Sequence, residues 1–274
     1  MKRASAVVHA ATLHKPHVAT HSWQQFIDTN IIGTLVLLEQ ATAVGVHSFI
    51  YVSTTSAFGS SLGRPDAAPA IWVTEDLPSE PRSIYGVTKV MAENLCELTH
   101  RQHGLPVVVL RISRFFPEDD DNSEVRARYE MANLQLNELL YRRVDIEDAV
   151  SAVMRALERA PDIGFSRYVI SATTPFALAD LPMLGRDAPS VVRRMFPDCE
   201  TLYATRDWKL FPQIDRVYVN ERARAELGWT PKYDFRYALE RLRSDQDFRS
   251  PLARDVGSKG YHDRSFAEGP YPVA

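Results

Sequence analysis

Ser83-Ile84-Tyr85-Gly86-Val87-Thr88-Lys89 is where a fold can first be read, together with Tyr51-Val52-Ser53-Thr54-Thr55-Ser56-Ala57-Phe58-Gly59 before it. Val90, Met91, Ala92, Leu95 and Leu98 continue the first stretch as a helix, so Tyr85 and Lys89, at i and i+4, share a face. An ammonium beside a phenol favours the phenolate and lowers its pKa. A tyrosine so tuned passes protons near neutral pH. Thr54 closes an apolar run, placing a hydroxyl where the carboxyl end of a buried strand meets a cleft. Alone, a Tyr-x-x-x-Lys spacing is weak, since a tyrosine packed on a surface helix beside a solvated lysine looks the same.

The flanking sequence alternates strands and helices. Ala6 to Ala11 is a short continuous apolar run, as in a strand buried on both faces. A polar loop, Thr12 to Ser22, leads to a helix from Trp23 to Val44, with Phe26, Ile27, Ile31, Leu35, Leu38 and Ala41 on one face and Gly45 at its stop. Ser48 to Ser53 is the next strand. Residues 59–82 hold Pro65, Pro69, Pro78 and Pro81 and are expected to form an irregular loop flanking a cleft. The Tyr85 helix ends near Gly104, and strands are expected at Val107–Ile112 and Arg167–Ser171, with helices at Met131–Tyr141 and Ile146–Arg159. The alternation predicts an α/β fold with one parallel sheet.

The 274 residues, 45% hydrophobic, suffice for one sizeable core or a core with a smaller lobe. A net charge of −3 gives no bulk basic character, so nucleic acid is not an expected partner. Cys96 and Cys199 make no disulfide framework, which points to a reducing cytoplasm. No apolar run approaches the ~18 residues of a spanning helix, and no membrane is expected. The acidic run Pro117-Glu118-Asp119-Asp120-Asp121-Asn122 reads as a solvated loop, with a lid or cation site as the sharper alternative. His9, His14, His17 and His21 invite a metal, but four imidazoles on one loop without a cysteine make a poor site, and none is expected.

The order of motifs is the specific signal: Val8-His9-Ala10-Ala11, Asn30-Ile31-Ile32-Gly33-Thr34, Ser53-Thr54-x4-Gly59, Tyr85-x3-Lys89 and Leu110-Arg111. This series resembles the extended short-chain dehydrogenase/reductase family of the NAD-dependent epimerase/dehydratase type, from about residue 6 to about residue 240 and most densely before residue 115. The Leu227-Gly228-Trp229-Thr230-Pro231 segment also resembles that family, as does Ile146-Glu147-Asp148-Ala149, where Asp148 is read as a helix cap or buried hydrogen-bond partner.

The resemblance implies a Rossmann-like doubly wound sheet with a smaller C-terminal substrate lobe. Residues 1–115 and 144–174 would form the cofactor-binding part, and 116–143 and 175–274 the lobe and tail. It implies hydride transfer between a sugar-like or nucleotide-linked alcohol and NAD or NADP, with a small-molecule substrate. Thr54, Tyr85 and Lys89 would be catalytic: Tyr85 as acid/base, Lys89 lowering its pKa and holding the nicotinamide ribose, Thr54 bonding the reacting oxygen. Ala10, Ala11, His14 and Ser113, with Tyr85 and Lys89, would line the cofactor, and Thr55 and Arg114 would face substrate.

Two departures bear on substrate. Sugar dehydratases of the family have Asp-Glu after the catalytic threonine, whereas Thr55 and Ser56 stand here, which argues against 4,6-dehydration. Arg114 takes a position often held by asparagine, and could clamp an anion or pair with the acidic run. A third departure concerns the cofactor. The family's Gly-x-x-Gly-x-x-Gly turn, which lays backbone N–H groups on the pyrophosphate, has no match, and Gly33 is the first glycine. The sheet is therefore expected to be partial, with the N-terminal strands missing, about 60 residues of three strands and two helices. Such a chain is expected to bind NAD(P) weakly and to aggregate or form a homodimer through the Ala6–Ala11 edge. The alternative function is a catalytically impaired, shortened homologue that serves as a binding or scaffold protein.

Overall fold

The computed structural model describes residues 4–115, 120, 122–257, 262 and 266. The chain begins with β1 (Ala6–His9), a turn, and α1 (Trp23–Phe26), which passes through a π-helical stretch, Ile27–Ile32, into α2 (Gly33–Val44). Then come β2 (Ser48–Thr54), β3 (Ile71–Val73), α3 (Ile84–His103) and β4 (Val107–Ile112). The helices α4 (Ser123–Arg128), α5 (Met131–Leu139) and α6 (Ile146–Ile163) precede β5 (Phe165–Ile170). The remainder is α7 (Leu181–Met195), α8 (Cys199–Ala204), β6 (Arg216–Tyr218), α9 (Glu221–Leu227), α10 (Phe235–Arg243) and α11 (Pro251–Val256).

The four expected strands form one parallel sheet in the order β1-β2-β4-β5, within two residues of the expected bounds. β4 is buried along its whole length, as a strand covered on both faces must be. On one face α2 and α3 pack through Leu38, Ala41, Ala92 and Cys96 onto Phe49, Tyr51, Val107 and Val109. On the other, the alanine stripe Ala149, Ala152, Ala156 and Ala160 brings α6 close to Ile50, Val108 and Leu110. Small side chains at this spacing let the helix axis approach the sheet. Trp229 and Leu227 join this face, and the Trp229 indole donates to Ser151 Oγ at 2.8 Å. A separate apolar cluster is built from α5, α7, α8 and α10 with Ala70 and Val217.

Three elements differ from the sequence reading. The long helix is not uniform: at the π turn the Gly33 N–H reaches Asp28 O, and the buried positions become Phe26, Asn30, Thr34, Leu38 and Ala41, not the Ile27–Ile31–Leu35 line. Two polar residues take core positions there because both are bonded, as shown below. The proline-rich loop contains β3, which pairs in parallel with β6. Three-residue strands carry too little periodicity to be read in advance. Asp120 is buried, not solvated: Arg114 donates to its Oδ2 at 2.5 Å. Glu118, Asp119 and Asp121 of that run, and most of the tail after Gly257, lie outside the described residues. Asp148 is the buried partner, accepting from the Lys232 and Tyr233 N–H groups at 2.8 Å each, while the α6 cap is Asp145.

Candidate active site

The carboxyl ends of β1, β2 and β4 open beside the first turn of α3, the place where parallel α/β sheets bind ligands. Ser83 caps α3, its hydroxyl accepting from Gly86 N–H, and so sets Tyr85 in the first turn. Gly86 is needed for close approach: a Cβ there would sit 2.8 Å from Pro81 Cβ and 3.0 Å from Ser56 O. Gly59, at φ +46°, closes the Ser53-Thr54-x4-Gly59 motif, and a Cβ would lie 2.0 Å from Glu80 O.

Three successive residues of β2 are tied to three residues of α3. Val52 O accepts from Lys89 Nζ at 2.7 Å, Ser53 Oγ donates to Glu93 Oε1 at 2.5 Å, and Thr54 stands near enough to the Tyr85 phenol to lower its pKa. Tyr85, Lys89 and Glu93 recur every four residues along α3, so one helix face reads one strand end. Lys89 Nζ also lies 4.1 Å from the centre of the Tyr51 ring, a cation–π contact.

The electrostatics differ from the sequence expectation that Lys89 lowers the Tyr85 pKa. Burial pushes the phenol above its ordinary value, and the offsetting pull comes from the Thr54 hydroxyl. Burial likewise lowers Lys89 to about 7, opposed by the Glu93 carboxylate. With its amine held by the Val52 carbonyl, Lys89 is directed at the strand end in this arrangement.

His14 lies against Tyr85, with ring centroids 4.8 Å apart, and burial lowers it to about 3, so it is a neutral wall. Ala10 and Ala11 are exposed at the end of β1. Ser113 follows β4; its Oγ is buried with no hydrogen-bond partner, and its N–H donates to Ile170 O at 2.9 Å. Thr55 begins the turn after Thr54 and is half-buried. Thus Thr54, Thr55, Tyr85 and Lys89 are grouped at one strand–helix junction, with His14 against Tyr85. Arg114 is drawn elsewhere, into an ion cluster with Asp120 and Glu138. Of the two readings for Arg114, the geometry takes the ion pair.

Asn30 enters the sequence reading only as part of a motif and is given no role there. Its Oδ1 accepts from Leu13 N–H at 2.7 Å, and its Nδ2 donates to Leu13 O and to Thr88 Oγ1, both at 3.0 Å. It thereby fixes the turn that delivers His14 to Tyr85. Thr34, one turn on, bonds His9 Nε2 at 2.9 Å. The signal available was a polar pair at i and i+4 inside an apolar helix.

A sequence model described as the NAD dependent epimerase/dehydratase family matches residues 1–170. The chain belongs to this family. Among epimerase/dehydratase relatives, dTDP-glucose 4,6-dehydratase of Streptomyces griseus is 41% identical over 98 residues, 34% of this chain and 28% of that protein. The chain spans under a third of the length of the curated relatives first matched. In fold it is similar to RMD from Pseudomonas aeruginosa complexed with NADPH, at TM-score 0.56, 23% identity, and coverage of 90% of this chain and 82% of that one. It is also similar to UDP-glucuronic acid 4-epimerase from Bacillus cereus in complex with NAD, at TM-score 0.55, 20% identity, and coverage of 85% and 71%. As a member of the epimerase/dehydratase family the chain shares an α/β fold with a parallel sheet, and among the described residues no helix is long and apolar enough to cross a membrane.

Proposed function

We propose that this protein is an NAD(P)-dependent oxidoreductase or epimerase acting on a sugar-like or nucleotide-linked alcohol, with Tyr85 as the proton-transfer group. The observation that carries the reading is the junction of Thr54, Tyr85 and Lys89 at the carboxyl end of β2. The bound cofactor supplies the hydride acceptor and donor. Thr54 orients the reacting hydroxyl, and Tyr85 takes its proton as the carbon loses hydride, leaving a ketone. On reduction Tyr85 returns the proton. Lys89, which bonds the Val52 carbonyl here, would hold the ribose of a bound cofactor and, in its cationic form, would ease ionisation of Tyr85.

The residues fit the nicotinamide half of the cofactor. Ser113 offers a buried hydroxyl still lacking a partner, beside a strand end rich in small residues, Ala10 and Ala11. His14 is the remaining cofactor contact in this reading. The pyrophosphate half has no counterpart to the glycine turn in this sequence. The identity of one relative as a 4,6-dehydratase is offset by Thr55 and Ser56, neutral hydroxyls that cannot act as a carboxylic acid and carboxylate pair. Epimerisation or simple oxidoreduction is therefore favoured, with Thr55 facing substrate.

A second reading is supported by the raised Tyr85 and the lysine turned to Val52: a protein that binds a nucleotide sugar without turning it over. Turnover across UDP- and dTDP-sugars with NAD or NADP at saturation separates the two. Product formation lost in Tyr85→Phe supports the enzyme; sugar binding with no product from any member supports the binding protein.

A further inference from the structure

Four polar side chains of α5 are buried: Asn133, Gln135, Asn137 and Glu138. Three of them have partners. Asn133 and Asn137 donate to Lys209 O at 3.1 and 2.7 Å, and Glu138 receives its guanidiniums. Gln135, 6% exposed, makes no hydrogen bond among the described residues. A bare buried amide is destabilising, so its presence calls for a partner from outside the fold. Gln135 stands between two cavities. The outer, about 480 Å³, lies between α5, α10 and residues 245–249. The inner, about 30 Å³, reaches Phe115 and Val144, just beyond β4. Gln135, Phe248 and Arg249 line both. The outer volume falls within the range of small-molecule sites, roughly 300–1,000 Å³.

The walls define what would fit. Trp208, Phe248, Leu242 and Met131 supply aromatic and aliphatic surface. The cationic groups of the rim are spent within the protein: Arg206 on Leu202 O, Leu242 O and Asp245, and Arg249 on both oxygens of Asp247. With Glu130, three carboxylates stand against two guanidiniums, so the rim favours a cation and disfavours a phosphate. Glu130 accepts from Trp208 Nε1 at 2.7 Å through Oε2, which leaves Oε1 for a ligand. We propose that this cavity binds a small aromatic amine: its ring packs against Trp208 and Phe248, a ring N–H donates to Gln135 Oε1, and its ammonium meets Glu130. None of these residues belongs to the Thr54–Tyr85–Lys89 junction, so the site stands independently of that assignment.

Tryptamine, indole and indole-3-acetate carry the same ring N–H with a positive, an absent and a negative charge. Each is titrated into the full chain and followed by 1H–15N NMR of the Gln135 side-chain amide, assigned with Gln135→Leu. Tryptamine should give a saturable shift, indole a weaker one and indole-3-acetate the weakest. Gln135→Leu should weaken tryptamine by at least about tenfold, as loss of a buried hydrogen bond requires. Because leucine replaces a bare amide, that variant should resist urea at least as well as the parent; a glutamine bonded within the fold would lose stability instead. Glu130→Gln, a change at an exposed residue, should bring tryptamine down to the affinity of indole and leave indole unchanged. No saturable shift with any of the three up to about 10 mM, the result if Gln135 holds water alone, overturns the proposal. So does indole-3-acetate binding tightest, or tryptamine binding that neither variant weakens.

Discussion

Tyr85→Phe removes one oxygen and keeps the ring that packs against His14, so its effect on stability should be small and its effect on chemistry large. Acid–base catalysis is worth about 10²–10⁴-fold, and turnover at saturating cofactor should fall by at least the lower bound. Unchanged turnover would remove Tyr85 from the mechanism. Lys89 makes a prediction that needs no substrate. Its pKa lies at about 7 in the folded chain against an ordinary 10.5, so the unfolded chain binds more protons between those values. Stability therefore rises as pH increases through that window, and below it the full cost of the buried charge remains, up to about 5 kcal/mol. Urea titrations of the parent and Lys89→Met at pH 7 and pH 9 should differ most at pH 7, with Met the more stable. A constant difference would mean that the amine is not buried in solution. The catalytic trio was legible because its residues carry chemistry at fixed spacing. The direction of the lysine was not, because it depends on the Val52 carbonyl, a main-chain atom that no residue letter announces.

Among the elements, the π turn of Ile27–Ile32 has the greatest effect on the site. It was not readable, since apolar residues at Ile27, Ile31 and Leu35 suit an unbroken helix equally well. What decides is the satisfaction of Asn30 by the turn after β1 and of Thr34 by His9 at the end of β1, contacts between residues distant in sequence. π turns often mark functional positions. Asn30→Ala would leave the Leu13 N–H and C=O without their side-chain partner and should cost about 1–3 kcal/mol for each buried group left bare. Measured by chemical denaturation, a loss under a few tenths of a kcal/mol would show that this turn is not held by Asn30. The four strands of the main sheet, by contrast, were plain in the sequence, because continuous apolar runs have no other home in an α/β fold. The lobe helices after residue 175 were obscured by their prolines; α7 contains Pro189 and bends at Asp187.

At the scale of the molecule, β1 forms one side of the described sheet and pairs only with β2 among the described residues, leaving its outer N–H and C=O groups free of strand partners there. Val8 is 45% exposed, and Val150 and Met154 of α6 are also exposed. β1 itself contains no lysine, proline or charge to discourage pairing. The chain should self-associate as concentration rises, and Val8→Lys should reduce that association in sedimentation velocity; a monomer at high concentration would refute the expectation.

The ion cluster around Glu138 has a thermal consequence. Glu138, fully buried, receives Arg142 and Arg143 at 2.7 Å and Arg114 at 3.3 Å, and Arg114 stands directly beyond the sheet strand β4. Burial alone would raise this carboxyl, yet the three guanidiniums hold it below its ordinary value. Hydration of ions becomes less favourable on heating, so the penalty for keeping such a group dry shrinks just where apolar burial stops gaining strength. Warmed, this molecule should loosen first at its margins and last at the seam where the Val144 N–H donates to Arg114 O and the Arg114 N–H donates to Arg142 O. Hydrogen exchange followed against temperature would register that order, with the amides of Arg114 and Val144 among the last to give up their protons.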